Sequence, residues 1–128
     1  MRVLLDTHTF LWFISDSPKL SSTVKEIIED EDNEKLLSII SIWEMAIKQS
    51  IGKLNVGNPF KEFIEQQISV NSTNILNINI EHINTIFELP LHHRDPFDRL
   101  LIAQAMVEKI PIISADTAFD TYSITKLW

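Results

Sequence analysis

The stretch DPFDRLLIAQAMVEKIPIISAD, residues 95–116, decides the fold of this chain. Its first part predicts an amphipathic helix, because Asp95 can cap the amino end, Pro96 suits the first helical position and apolar residues recur as far as Lys109. Its second part is a short apolar run ending at Ser114, which is typical of a buried parallel strand. A helix that leads directly into such a strand indicates a parallel α/β sheet.

The same alternation extends outward through the rest of the chain. A parallel sheet with helices on both faces follows from it, that is, a three-layer α/β/α sandwich with a central, mostly parallel sheet. We expect one domain over residues 1–128, and the pattern does not predict the strand order. The predicted strands are residues 3–5, 36–40, 74–78, 110–114 and 124–128, with helices predicted at 9–14, from Ser21 or Ser22 to 28, at 41–52, 59–67, 80–89, 95–109 and 116–122.

The composition excludes several classes of protein. The chain of 128 residues has no cysteine, which excludes disulfides, thiolate nucleophiles and cysteine-ligated metals and suits a reducing cytoplasm. Its two glycines, Gly52 and Gly57, are too few for a glycine-rich phosphate loop. No apolar run approaches the roughly 18 residues of a membrane span, and the amino terminus does not resemble a signal peptide. We therefore expect a cytoplasmic protein with no membrane partner.

The formal net charge is −7, which argues against nucleic-acid binding through overall charge. Most of this charge comes from residues 26–35, EIIEDEDNEK, which we interpret as a solvated helix end. The remainder of the chain is close to neutral. Any RNA-binding function would therefore depend on local basic groups, such as Lys48 and Lys53, or on metal ions.

Four acidic residues are candidates for a site at the carboxyl edge of the sheet, where open α/β sheets bind their ligands. Asp6 ends the first predicted strand, Glu44 follows the second, and Asp116 follows the strand at 110–114. Asp98 lies in the first turn of the helix that Asp95 opens. Carboxylates gathered in this way repel one another unless a hard cation such as Mg²⁺ or Mn²⁺ neutralises them. Such ions support phosphodiester hydrolysis by activating water.

Each acid also has a purely structural interpretation, which the sequence leaves open. Glu44 can complete a capping box with Ser41, and the helix dipole favours any acid at position 98. Asp6 can simply end a strand, and Asp116 can cap a short helix. Asp95 is best explained as a helix cap, with an auxiliary role at most.

The remaining polar and aromatic candidates are less specific. His92 and His93 are adjacent, so they do not share a helical face, and we interpret them as part of a solvated loop. Arg99 could hold a phosphate, screen the acids or simply be exposed. We place three aromatic residues in the core in preference to a base-stacking surface: Trp12, Trp43 and Phe97.

Four segments in order, VLLDTHTFLW, SIISIWEMAIK, LPLHHRDPFDRLLIAQA and PIISADTAFDTY, resemble a PIN domain of the VapC toxin branch of VapBC toxin–antitoxin modules. The resemblance covers essentially the whole chain and implies four metal-ligand and catalytic carboxylates, from Asp6, Glu44, Asp98 and Asp116. Ser114 occupies the polar position before the last acid and would at most orient a ligand or water. The resemblance also implies a Mg²⁺- or Mn²⁺-dependent endoribonuclease that forms a homodimer and binds a VapB-type antitoxin.

Two other classes of function compete with this one. A receiver-like domain also gathers acids at strand ends to phosphorylate an aspartate, but Ser114-Ala115-Asp116 stands where such a domain needs a lysine. An inert PIN-like scaffold would bind a partner protein without metal-dependent turnover. For any oligomer interface, the candidates are apolar residues within 24–28 and 42–64.

Overall fold

A single five-stranded sheet organises the computed structural model, which describes residues 1–128. The strands are β1 (Arg2–Leu5), β2 (Glu34–Ser38), β3 (Thr73–Leu76), β4 (Ile112–Ile113) and β5 (Lys126–Leu127). The helices are α1 (Thr7–Ile14), α2 (Ser22–Glu29), α3 (Ile39–Ser50), α4 (Phe60–Val70), α5 (Ile80–Glu88) and α6 (Pro96–Glu108), followed by a 3-10 helix at Thr117–Thr121.

The strand order is β3-β2-β1-β4-β5, and every neighbouring pair is parallel. This confirms the predicted parallel α/β sheet and supplies the order that the sequence could not. A receiver-like domain has β3 beside β1, whereas here β4 takes that place. The receiver-like hypothesis is therefore wrong.

Two hydrophobic cores, one on each face of the sheet, confirm the three-layer sandwich. Side chains alternate along β1, so Leu4 enters one core while Val3 and Leu5 enter the other. The Leu4 core contains α6, Phe119 of the 3-10 helix and the inner side of α5; the Leu5 core contains α1, α2, α4 and Met45 of α3. The central strand β1 is thus buried on both faces, and its burial fixes the position of Asp6, the polar residue that follows it.

The start of α3 differs from the prediction. Strand β2 ends at Ser38, whose hydroxyl accepts the Ile40 N–H at 3.1 Å and caps a helix that begins at Ile39. The capping box predicted for Ser41 and Glu44 is therefore wrong, and Glu44 lies in the second turn of α3. Ile39 and Ile40 suit a strand and a buried helix equally, which is why the predicted strand extended two residues too far.

None of the helices is both long enough and apolar enough to cross a membrane.

Candidate metal centre at the carboxyl edge of the sheet

Asp6 lies where β1 passes into α1, and it is almost completely buried, with 6% of its surface exposed. Its Oδ1 caps α1 by accepting the Thr9 N–H at 2.7 Å, and its own N–H donates to Ile113 O at 3.2 Å. The parallel register of β1 and β4 pairs Leu5 with Ile113 and so places Asp6 beside Ser114. No hydrogen bond from the chain reaches Asp6 Oδ2, which leaves that oxygen available to a ligand.

Glu44 is tied to the residue next to Asp6. The Thr7 hydroxyl lies 2.8 Å from Glu44 Oε1 and 2.9 Å from Ser41 Oγ. Because Thr7 has one hydroxyl proton, it donates to the charged Glu44 and accepts from Ser41. Lys48, one turn along α3, contacts Glu44 Oε2 at 2.8 Å. Both oxygens of this buried carboxylate thus have a partner within the chain.

Asp98 contacts His93, a residue for which the sequence predicts a place in a solvated loop. His93 Nε2 lies 2.7 Å from Asp98 Oδ2, and Asp95 Oδ1 caps α6 by accepting the N–H groups of Phe97 and Asp98. The cap confirms the role predicted for Asp95. One ligand atom from each of His93, Asp95 and Asp98 lies within 4.8 Å of the others, a spacing suited to a metal ion.

The pKa of the Asp98 carboxyl is raised above its ordinary value of 3.8. Burial is the largest cause, and the negative charges of Asp95 and Asp116 add to it; the His93 hydrogen bond and charge oppose the rise only in part. Asp98 is therefore a carboxylate whose ionised form is disfavoured by its surroundings. A bound cation would reverse that preference.

Asp116 follows β4 and is aligned by two hydrogen bonds. Its N–H donates to Ser114 Oγ at 3.0 Å, and its Oδ1 caps the 3-10 helix by accepting the Ala118 N–H at 2.9 Å. Ser114 is fully buried, so its hydroxyl fixes the turn that carries Asp116. The effect of Asp116 on the pKa of Asp98 connects it electrostatically to α6.

The four predicted acids fall into two pairs. Asp6 and Glu44 are joined through Thr7, while Asp98 and Asp116 are joined by charge, and Asp6 lies beside Ser114 across the β1–β4 pair. No three of these four carboxylates satisfy the spacing that His93, Asp95 and Asp98 satisfy. Three acids at this edge also cap helices: Asp6, Asp95 and Asp116.

Arg99, a candidate phosphate ligand, is used inside the fold. Its guanidinium donates to the carbonyls of Ile86, Leu89, Pro90 and His93 and to the Tyr122 hydroxyl, at 3.0 to 3.4 Å. These bonds hold the loop between α5 and α6 in place. Arg99 thereby positions the backbone of His93.

Two of the aromatic residues assigned to the core lie nearer the surface. Trp43 is 57% exposed, and its ring packs edge-on against Phe97 at 5.3 Å between centroids. The prediction for Trp43 is wrong, because α3 buries the face that carries Ile40, Glu44 and Met45, and Trp43 lies outside that face. Trp12 is half-buried against the Trp128 ring at 5.7 Å, and Phe97 packs on the edge of the Leu4 core.

Sequence reasoning missed His93. Adjacent histidines share no helical face, and only the curl of the loop before α6 brings the second one back to Asp98. The available signal was local, namely a histidine two residues before the helix cap Asp95.

The residues at this edge fit a divalent metal ion. Carboxylate oxygens dominate the donor set, as Mg²⁺ and Mn²⁺ prefer, and His93 adds a nitrogen that Mn²⁺ tolerates more readily. Burial, with a smaller contribution from the charges of Asp95 and Asp116, raises the pKa of Asp98, and a bound cation would offset both causes.

The sequence matches the PIN domain family over residues 3–124, and the chain belongs to that family. Among curated proteins, none is significantly similar to it in sequence.

Among solved structures, the fold is similar to those of VapBC toxin–antitoxin proteins. VapBC2 from Rickettsia felis, bound to a DNA fragment from its promoter, aligns with a TM-score of 0.75 at 13% identity, covering 100% of this chain and 99% of that chain. DNA-bound VapBC from Salmonella typhimurium aligns with a TM-score of 0.71 at 12% identity, covering 99% and 97%. VapBC-1 from Haemophilus influenzae aligns with a TM-score of 0.69 at 16% identity, covering 99% and 97%.

Proposed function

We propose that this chain is a metal-dependent endoribonuclease and the toxin component of a type II toxin–antitoxin system, acting in the cytoplasm as one domain over residues 1–128. The observation that carries the proposal is the position of Asp98. Its carboxyl is partly buried among the charges of Asp95 and Asp116, at the edge where Asp6 ends β1. Burial and these neighbouring charges disfavour the ionised form of this carboxylate, whereas a bound metal ion would favour it.

Within this proposal, Asp6, Glu44, Asp98 and Asp116 hold Mg²⁺ or Mn²⁺ and are the catalytic acids. When bound, the ion supplies a lowered water pKa and stabilises charge at phosphorus. The surrounding side chains position the ligands: Ser114 fixes the turn of Asp116, and Thr7 directs one oxygen of Glu44. His93 orients Asp98, and Arg99 holds the loop that carries His93.

The proposed partners are RNA, a VapB-type antitoxin and a second copy of the chain. The outer face of α5 offers a surface for assembly, because Ile80 and Phe87 are 84% and 88% exposed and Ile83 lies between them. The interface candidates at 24–28 and 42–64 are of two kinds. Trp43, Ile47 and Ile51 are exposed and also offer apolar surface. Val24, Ile28 and Ile64 are buried in the Leu5 core, so they have no apolar surface left to offer.

A catalytically inert, protein-binding PIN scaffold is the second candidate. Glu44 favours it, because Thr7 and Lys48 already satisfy both carboxylate oxygens without any metal. In that case the exposed face of α5 would be the functional surface of the protein.

Cleavage of total cellular RNA by the purified protein separates the two candidates. Wild type, Asp6→Asn and the matched control Asp32→Asn are assayed with Mg²⁺, with Mn²⁺ and with EDTA; Asp32 is exposed and lies just before the amino end of β2, away from the carboxyl edge of the sheet. The proposal expects discrete fragments from wild type and the control, none with EDTA and none from Asp6→Asn. Equal activity of Asp6→Asn and wild type would overturn the site assignment. If none of the three proteins cleaves RNA after bound antitoxin has been removed, the result would favour the scaffold.

A further inference from the structure

We propose that the cleft between α1 and the end of α3 is a subsite for one unpaired nucleotide of single-stranded RNA, next to the phosphate that is cut. The inference rests on the proposed nuclease function and adds the path of the RNA strand over the protein surface. The cleft has a volume of about 530 Å³, within the roughly 300–1,000 Å³ of pockets that hold small ligands. We call it the lysine cleft, and its defining residues are Thr7, His8, Trp12, Lys48, Lys53 and Phe63.

The lysine cleft opens directly beside the acidic edge. Two of its lining residues touch the same site acid, because the Thr7 hydroxyl and the Lys48 ammonium each lie 2.8 Å from an oxygen of Glu44. If the scissile phosphate of an RNA strand lies at the carboxylates, the neighbouring nucleotide of that RNA strand therefore lies within reach of the cleft.

Charge distinguishes this cleft from the rest of the surface. The protein carries a net charge of −7, yet none of the 12 residues lining the cleft is acidic and two are lysines. Lys48 neutralises Glu44, whereas Lys53 is exposed and has no carboxylate partner. An exposed ammonium beside a site that handles phosphodiesters is suited to a phosphate of the substrate backbone.

Two aromatic side chains also line the cleft. His8 and Trp12 lie one turn apart on α1 with their ring centroids 5.8 Å apart. The Trp12 ring is half-buried by the Trp128 ring at 5.7 Å and the Lys19 ammonium at 5.9 Å, so His8 is the more exposed of the two. A nucleobase stacks on such a surface whatever its sequence, but only when it is unpaired and unstacked from its neighbours. The cleft thus combines a cation for the backbone with a ring for the base, which is the recurrent composition of single-strand binding sites.

Binding of a short single-stranded RNA that contains 2-aminopurine tests the assignment. Fluorescence anisotropy gives the affinity, and 2-aminopurine quenching reports stacking; EDTA prevents metal-dependent cleavage during both measurements. The variants are Lys53→Ala and Trp12→Leu, and Lys61→Ala is the control because Lys61 is an exposed lysine outside the cleft that carries the same charge. Thermal melts establish that each variant is folded.

We expect Lys53→Ala to weaken RNA binding by about 3- to 10-fold and to lower the slope of log K against log salt by about 0.7, the loss of one single-strand phosphate contact. Trp12→Leu should weaken binding by about 10-fold and abolish the quenching. Lys61→Ala should match wild type in both measurements, and duplex RNA should not show the quenching.

The outcomes separate this inference from the function on which it rests. If wild type cleaves RNA but both cleft variants bind as wild type does, the subsite assignment fails alone and the cleft is left as a groove for a protein partner. If wild type neither cleaves nor binds RNA, the proposed function fails and this inference fails with it.

Discussion

His93 Nε2 lies 2.7 Å from Asp98 Oδ2, and this contact links the loop between α5 and α6 to the acid whose pKa is most disturbed. The same loop is held by Arg99, which donates to the His93 carbonyl at 3.4 Å. Asp98 is therefore oriented from outside its own helix. Its geometry depends on a loop that the helix pattern alone does not predict.

His93→Ala should lower the affinity for Mn²⁺ by about 10-fold, because residues that orient metal ligands typically contribute at that level. His93→Gln, which retains a donor near the same place, should recover part of the loss. Isothermal titration with Mn²⁺ measures both variants. Unchanged affinity in His93→Ala would show that Asp98 needs no orientation from the loop.

Asp98→Asn should stabilise the protein at neutral pH in EDTA. The folded-state pKa of Asp98 is raised, so the folded chain holds this proton more tightly than the unfolded chain does. The resulting stability is fully present below the unfolded pKa and is lost as the pH rises through the folded pKa. Removing the charge should recover up to about 1 kcal/mol, or about 4 °C in Tm.

Thermal melts across pH test this sign. The advantage of Asp98→Asn over wild type should shrink as the pH falls towards 4, where the unfolded carboxyl also takes up its proton. Adding Mg²⁺ should raise the Tm of wild type more than that of the variant. A variant that melts below wild type at pH 7 in EDTA would contradict the claim that repulsion and burial dominate at this position.

Asp6→Asn and Asp98→Asn should each abolish RNA cleavage while circular dichroism and size-exclusion profiles stay those of wild type. Asparagine keeps an oxygen that can cap α1 at position 6, so the local fold survives while one ligand charge is lost. Rates of cleavage of a defined RNA, measured by gel, give the comparison. Full activity in either purified variant would remove that acid from the proposed site.

Thr7→Val should lower the free energy of unfolding by about 1–2 kcal/mol, because valine removes the hydroxyl that donates to the buried Glu44 carboxylate. Thr7→Ser is the matched control, since it keeps the hydroxyl and loses only a methyl group. Urea unfolding of both variants gives the difference. If valine and serine behave alike, the hydrogen bond contributes little to stability.

Phe87→Asp should reduce self-association without altering the fold, since the Phe87 side chain lies almost entirely in solvent. A charge in the centre of an apolar contact is costly to desolvate, so the dissociation constant of a dimer that uses α5 should rise at least about 10-fold. Analytical ultracentrifugation of the variant and of Val70→Asp, an exposed apolar control on α4, distinguishes this surface from general solubility. Equal dissociation constants would place any dimer interface elsewhere.

The layers of the fold follow from the sequence because the strands lie in short apolar runs and five of the six α-helices begin after a residue whose side chain caps them. The Asp95 cap and the apolar run at Ile112 and Ile113 predict α6 and β4 without any tertiary information. The strand order cannot be predicted in the same way. It depends on which strands pair across long stretches of chain, and no local residue encodes the adjacency of β1 and β4.

The candidate site is predictable only in part, for a related reason. Polar residues after buried strands identify Asp6 and Asp116, since strand ends are fixed by the core. The partners that orient the acids come from other segments, as Thr7 does for Glu44 and His93 for Asp98. The predicted start of α3 is wrong because Ile39 and Ile40 fit both the strand and the helix pattern, and the predicted capping box of Ser41 and Glu44 is wrong with it. Which face of α3 is buried, and hence the exposure of Trp43, depends on packing between distant segments.

The pairing of the first strand with the fourth also sets when the site can exist during synthesis. Thr9 Oγ1 donates to Ile113 O across 104 positions of sequence, and Asp116 lies three residues beyond that contact. A chain still emerging from the ribosome carries Asp6 and Glu44 but lacks the strand that completes their edge. Under the proposed function, the enzyme stays inert towards its own messenger and the ribosomal RNA around it until β4 and Asp116 have been synthesised and β4 has paired with β1, and an antitoxin needs to capture only molecules that have passed that point.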